Sequence, residues 1–184
     1  MSWKSSFVPF LSVALMMTAS IAQSEELKVG ADAPDFELKA SDGKTYKLSS
    51  FKGKQAVVVA WFPKAFTGGC TKECKSMREH GKLIRQYDVA YFTASCDEVE
   101  GEKGNAAFAK SLDLDYPILS DPSRKTAKEY GLVADDKGNA KRVTFYIGKD
   151  GKIAHIDREV KTEMHGEHIA AKLKELGVAA APKK

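Results

Sequence analysis

Two periodicities alternate along this chain. Ala56-Val57-Val58-Val59-Ala60 is an unbroken apolar run, and residues 55–62 read as a strand buried on both faces. Residues 71–87 then place Met77, Leu83 and Ile84 at helical spacing, so a helix with those three on its inner side follows. Residues 89–94 predict a second central strand. Residues 98–112 predict a helix carrying Ala106, Phe108 and Ala109, and 117–119 a short strand. Ser120-Asp121-Pro122-Ser123 supplies capping groups for a helix over 124–130, which Gly131 stops. Residues 143–147 and 152–156 flank Lys149-Asp150-Gly151, a hairpin signal. A last amphipathic helix spans 162–176, with Ile169, Leu173 and Leu176 on one face. Near the start, short strands around Ser41-Asp42-Gly43-Lys44 predict a hairpin. Strand, helix, strand, helix, then hairpin and helix defines an α/β chain with a central mixed sheet flanked by helices. No repeat and no second domain boundary interrupts it.

The first 22 residues stand apart. Lys4 precedes an apolar stretch with Leu11, Val13, Leu15, Met16 and Met17, and Ser20-Ile21-Ala22 offers small residues for cleavage. The stretch is short for a membrane span and is broken by Pro9, Ser12, Thr18 and Ser20. The expected organisation is a signal peptide over 1–22, one domain over 23–178 and a disordered tail over 179–184. The expected destination is periplasmic or secreted, with no stable membrane association once the signal is removed. Net charge is +4 and is mixed along the chain. No basic run with interleaved aromatics occurs, so nothing supports nucleic-acid binding. Cys70, Cys74 and Cys96 are too few for a disulfide framework. In an exported chain, an odd number suggests one reactive pair and one thiol of different purpose.

The chemistry concentrates in Trp61-Phe62-Pro63-Lys64-Ala65-Phe66-Thr67-Gly68-Gly69-Cys70-Thr71-Lys72-Glu73-Cys74. This strand-turn-helix pattern puts Cys70 at a helix start beyond the carboxyl end of a strand. Free N–H groups and the helix dipole there favour an anion, and the thiolate is the reactive form of cysteine. The plainer reading is a buried structural cysteine; the polar, flexible neighbours Thr67, Gly68, Gly69 and Thr71 argue against it. Pro63 fixes the backbone after the strand and removes a donor. The Thr67 hydroxyl can donate to a thiolate or accept from a substrate O–H, and the glycines permit close approach. Glu73 reads equally as a hydrogen-bonding group near the turn or as an exposed first-turn carboxylate. His165 and His168, three apart, read as a surface pair rather than metal ligands, since no further ligand set accompanies them.

Pro63-x3-Thr67-x2-Cys70 resembles the active-site motif of the peroxiredoxins, the AhpC/TSA superfamily. Gly30-x2-Ala33-Pro34-Asp35-Phe36 resembles that family's entry segment, and Arg142-Val143-Thr144-Phe145-Tyr146-Ile147-Gly148-Lys149-Asp150-Gly151 its arginine-bearing strand and hairpin. Ile118-Leu119-Ser120-Asp121-Pro122 fits a further landmark. The resemblance runs from about Val29 to Leu176 and is nearest the bacterioferritin-comigratory, or PrxQ, type. It implies a thioredoxin-like fold with an N-terminal hairpin extension. It also implies a thiol-dependent peroxidase acting on hydrogen peroxide or organic hydroperoxides. By the resemblance Cys70 is the peroxidatic cysteine, Pro63 shields the site, Thr67 orients the peroxide and Arg142 is the cationic partner. It implies no cofactor and no metal, a thioredoxin-like reductant, and a monomer or weak dimer.

The chain departs from that type at the second cysteine. Cys74 lies four residues after Cys70, where the PrxQ type has five, and Gly69 replaces the usual proline. Cβ atoms at i and i+4 on a helix are about 5–6 Å apart, whereas a disulfide needs about 3.5–4.5 Å. A Cys70–Cys74 bridge therefore requires the first helical turn to distort. Cys74 is the favoured resolving residue and Cys96 the alternative. Cys96 lies just past the second central strand, at the edge where parallel strands end, and also reads as a packed small side chain. The Cys-x3-Cys spacing is also similar to the copper-handling Sco family, whose two thiolates suit Cu(I). That family's histidine ligand falls where this chain has Lys141-Arg142, and a fixed cation opposes metal binding.

Overall fold

The computed structural model describes residues 27–182. The proposed export signal, 1–22, lies outside the described residues. A seven-stranded sheet is formed by β1 (Glu37–Ala40), β2 (Thr45–Lys47), β3 (Ala56–Trp61), β4 (Val89–Ser95), β5 (Ile118–Ser120), β6 (Val143–Ile147) and β7 (Ile153–Asp157). Their spatial order is β2-β1-β5-β4-β3-β6-β7. β3 and β4 are parallel, as are β4 and β5, while β6 runs antiparallel to β3 and β7 to β6. The N-terminal hairpin joins the same sheet, because β1 pairs antiparallel with both β2 and β5.

The uninterrupted apolar run explains the central place of β3, all six of whose residues are buried. Alternation sends Val57, Val59 and Trp61 to one face, against Phe92, Leu119, Phe145 and Tyr130. Val58 and Ala60 face the other side, against Met77, Ile84, Ile169 and Leu173. Those last four come from α1 (Gly68–Glu79), α2 (Gly81–Ile84) and α5 (His165–Glu175). Phe62, one residue beyond β3, continues this second face into a third cluster with Cys70, Cys74, Phe108, Leu112 and Ile118. Phe108 belongs to α3 (Asn105–Ser111), and α4 (Lys125–Glu129) lies on the first face through Ala127.

Three expectations need correction. The helix over 71–87 is two helices: it starts earlier, at Gly68, and breaks at His80, whose ψ of 9° leaves helical geometry. Gly81 follows because a Cβ there would come within 2.9–3.0 Å of the Arg85 guanidinium and the Tyr91 hydroxyl. The break turns Leu83 outward, leaving it 42% exposed. The helix over 98–112 forms only as α3. Before it, Gly101 takes φ +91°, a left-handed conformation natural to glycine. Gly104 packs so tightly that a Cβ would sit 2.2 Å from the Glu100 carbonyl oxygen. Finally, residues 179–181 are not a loose tail. Asp88 N–H donates to Ala179 O at 2.8 Å, Ala181 N–H donates to Gln86 O at 2.8 Å, and Tyr87 bridges Ala180. Backbone groups left unpaired after α2 gain partners this way.

Candidate active site

The parallel strands β3 and β4 end at one edge, and the chain leaves β3 through Phe62 and Pro63 into the loop before α1. Three bonds set that loop. Phe62 N–H donates to Ala94 O at 2.9 Å. Ala65 N–H donates to Asp97 Oδ2 at 2.8 Å, and Ser95 Oγ also donates to that carboxylate, at 2.9 Å. Phe66 sits at φ +60°, a left-handed conformation costly for a bulky residue, with its ring 4.9 Å from that of Phe108. The kink delivers Thr67 to the cap position of α1 and Cys70 to its first turn. The first helical bond runs from Thr71 N–H to Thr67 O. The N–H groups of residues 68–70 therefore precede the intrahelical ladder and contribute to the positive end of the dipole.

Cys70 is 1% exposed, within the cluster of Phe62, Ala65 and Phe108. Arg142, immediately before β6, donates from Nη2 to Cys70 Sγ at 3.3 Å. β6 lies next to β3, with Trp61 opposite Val143, and this register brings residue 142 beside the strand end. The guanidinium and the positive end of the helix dipole thus both lie beside the one sulfur. Gly69 fits the arrangement closely, since a Cβ there would lie 3.3 Å from Arg142 Nη2. Thr67 is exposed, and its hydroxyl donates to Lys64 O at 2.9 Å. Its one proton is thus committed, while its lone pairs remain able to accept a peroxide O–H. Pro63, half-buried, follows Phe62 at the base of the same loop.

Sequence reasoning missed the group behind Arg142. Glu73 is fully buried, not an exposed first-turn carboxylate, and its Oε2 pairs with Arg142 Nη1. Its Oε1 lies 3.0 Å from His165 Nδ1. His165 is fully buried, not a surface residue, and its Nε2 lies 2.9 Å from Thr144 Oγ1. Nδ1 thus faces a carboxylate, which only accepts, and the arrangement suits a ring with its proton on Nδ1 and with Nε2 accepting from the Thr144 hydroxyl. Burial pushes His165 down to about 4; Asp157 opposes the shift and Arg142 adds to it. The ring is therefore neutral at physiological pH. The helical spacing of 165, 169 and 173 was the one signal that could have placed this histidine inside.

The other two thiols differ sharply in placement. Cys74 shares the Cys70 cluster and is 0% exposed. Burial pushes its thiol up to about 12, partly offset by the Tyr116 hydroxyl, with Cys70 adding to the rise. Tyr116 also donates to the Cys74 carbonyl at 2.9 Å. Cys96 is at the active-site edge, as expected, but it packs in the cluster on the opposite face of the sheet. Strand alternation puts it there: Ala94 and Cys96 share one face of β4 and its continuation, and Thr93 and Ser95 take the other. Burial raises the Cys96 thiol to about 11.

A thiol in the first turn of a helix, beneath a guanidinium at the carboxyl edge of such a sheet, defines a thiol-redox protein of thioredoxin-like fold. Residues 29–156 match the model of the AhpC/TSA family. The chain is 32% identical over 155 residues to peroxiredoxin Bcp of Escherichia coli, covering 81% of this chain and 97% of that protein. It is 34% identical over 158 residues to a chloroplastic peroxiredoxin Q of Populus jackii, covering 84% and 72%. The crystal structure of peroxidoxin BcpB from Mycobacterium tuberculosis superposes with a TM-score of 0.73 at 30% identity, over 82% of this chain and 98% of that one. The chain belongs to the AhpC/TSA family, as a peroxiredoxin of the Bcp/PrxQ type and hence a thiol-dependent peroxidase.

Proposed function

We propose that Cys70 is the peroxidatic nucleophile, Arg142 its cationic partner, Thr67 the group that accepts the peroxide O–H and Cys74 the resolving cysteine. The carrying observation is the 3.3 Å bond from Arg142 Nη2 to Cys70 Sγ. The Cys70 thiolate attacks one peroxide oxygen. The O–O bond breaks, and the departing oxygen leaves as water or an alcohol after taking a proton. Guanidinium donors lie where that charge develops, and Pro63 shields the sulfur. Cys70 is left as the sulfenic acid. Attack by the Cys74 sulfur then forms the disulfide and releases the sulfenic oxygen as water. A thioredoxin-like dithiol returns both thiols and leaves as a disulfide.

The buried, protonated Cys74 thiol is a poor nucleophile while α1 is intact. Opening the turn between residues 68 and 74 removes both obstacles, because it exposes the thiol and closes the Cβ gap. The opposite-face position of Cys96 favours Cys74 over it. The copper-site reading loses support, because a guanidinium on Cys70 opposes a metal cation at the same sulfur. Substrates are hydrogen peroxide or organic hydroperoxides. Residues 1–22 direct export to the periplasm or medium, where the enzyme acts as a monomer or weak dimer.

Stoichiometric peroxide added to reduced protein tests the reading. Wild type should lose two thiols and give a Cys70–Cys74 peptide by mass spectrometry. Cys74→Ser should stop at a sulfenic acid, and Cys70→Ser should not react. A Cys70–Cys96 or intermolecular bridge would overturn the assignment of Cys74. Amino-terminal sequencing of protein from the periplasmic fraction should begin at Gln23.

A further inference from the structure

Two strands of contact meet at His165. Along α1, Lys72, Glu73, Ser76 and His80 face the entry to α5. Lys72 Nζ pairs with Glu163 Oε1 at 2.6 Å, and Glu73 Oε1 is 3.0 Å from His165 Nδ1. Gly166 N–H donates to Ser76 Oγ at 3.1 Å, and His80 Nε2 is 3.4 Å from Glu167 Oε1. Across the sheet, His165 Nε2 accepts from Thr144 on β6, the strand that Arg142 precedes. Cys70, Arg142, Glu73, His165 and Thr144 are thus one unbroken chain of contacts. Its last three side chains are fully buried.

We propose that His165 is a positioning residue of this site: its Nδ1–H fixes the Glu73 carboxylate, which holds the Arg142 guanidinium on the Cys70 sulfur. The inference rests on the reading of Cys70 and Arg142 given above. A buried carboxylate with a single cationic partner draws that cation fully to itself. A second donor shares the carboxylate charge and fixes its plane, so Nη2 stays free for the sulfur while Nη1 serves Glu73. Ion pairs of this kind add little net stability, since desolvation cancels much of the attraction. Their worth here is orientation. Burial keeps the ring neutral, so one nitrogen donates and the other accepts, as the two partners require. The same clamp has a second consequence. Glu73 lies between Cys70 and Cys74 in sequence, so opening the first turn must pull on its contacts with Arg142 and His165. The clamp therefore slows disulfide formation while it favours peroxide attack.

Two amides separate this role from space-filling. In His165→Asn the amide nitrogen can replace Nδ1 toward Glu73, but nothing reaches Thr144. In His165→Gln the amide can replace Nε2 toward Thr144, but the Glu73 donor is lost. Both are tested as full-length protein in a Cys74→Ser, Cys96→Ser background, where Cys70 is the only thiol. The readouts are the alkylation rate of Cys70 against pH and the second-order rate with hydrogen peroxide. His165→Gln should lower both rates at pH 7 by about tenfold, the equivalent of about 1.4 kcal/mol, and move the alkylation profile to higher pH. His165→Asn should stay within about threefold of the parent. With the native cysteines restored, His165→Gln should form the Cys70–Cys74 disulfide faster from the sulfenic acid. Equal effects of Asn and Gln, or no effect of Gln, would overturn the role of His165. Should the parent Cys70 react no faster than a free cysteine, the reading of Cys70 itself fails instead. Circular dichroism confirms that each variant is folded; if His165→Gln does not fold, His165→Met removes the same donor toward Glu73, with the same direction of change expected and no change overturning the role of His165.

Discussion

A guanidinium carries five N–H donors in one plane, and Arg142 divides them between Cys70 and Glu73. A lysine supplies the same charge at a single point. Arg142→Lys should therefore lower the peroxide rate at least about tenfold while the protein stays folded, as stopped-flow kinetics and circular dichroism would show. Retention of wild-type rate would mean that charge alone suffices. Cys96 gives the opposite case. Because it packs on the far face of the sheet, Cys96→Ser should leave peroxide turnover and the Cys70–Cys74 disulfide within about twofold of wild type. At this scale the sequence made Cys70, Thr67 and Pro63 legible, since they lie within eight residues of one another in a turn whose pattern is local. Arg142 was legible only through family resemblance. Glu73 was visible but ambiguous, because the first turn of a helix is where a solvated carboxylate also belongs.

Between elements, the seam of α1 with the start of α5 carries the site. Gly166 lets the helices touch: a Cβ there would lie 2.4 Å from the Ser76 carbonyl oxygen and 2.8 Å from His80 Cβ. Backbone cannot yield as a flexible side chain does, so α5 must shift. Gly166→Ala should cost about 1–3 kcal/mol in urea unfolding and slow the peroxide reaction as His165 moves. A variant of unchanged stability would show that the seam is more compliant than its geometry indicates. The first turn of α1 has a different task under the proposed resolution by Cys74, which requires that turn to open. Hydrogen exchange should rise at residues 68–74 in the oxidised protein and remain low in α5. The strands were readable because period-two and continuous apolar patterns need no partner to be recognised. The breaks at His80 and before Asn105 were not, because they depend on close approaches, by the Arg85 and Tyr91 side chains at Gly81 and by turn backbone at Gly104.

For the whole molecule, His165 links the site to stability. Its folded value of about 4 is below its ordinary 6.5, so the unfolded chain takes up a proton that the native protein refuses. This contribution is neutral above about pH 6.5 and turns destabilising as pH falls toward 4, reaching roughly 3 kcal/mol below that. Thermal melts between pH 7 and 4 should show a fall in midpoint that His165→Asn reduces; an identical fall in both proteins would assign it to other groups. By itself the sequence determined the class of fold, the central strand, the place of the Cys70 turn and the family, because alternation, turn chemistry and a compact motif are properties of neighbouring residues. Only the tertiary structure decided which thiol shares a face with Cys70, that Glu73 and His165 are buried, and how residues 179–181 are held. Those outcomes depend on which surfaces the sheet brings together between segments separated in sequence, and desolvation and ion pairing at such a junction leave no trace in local periodicity.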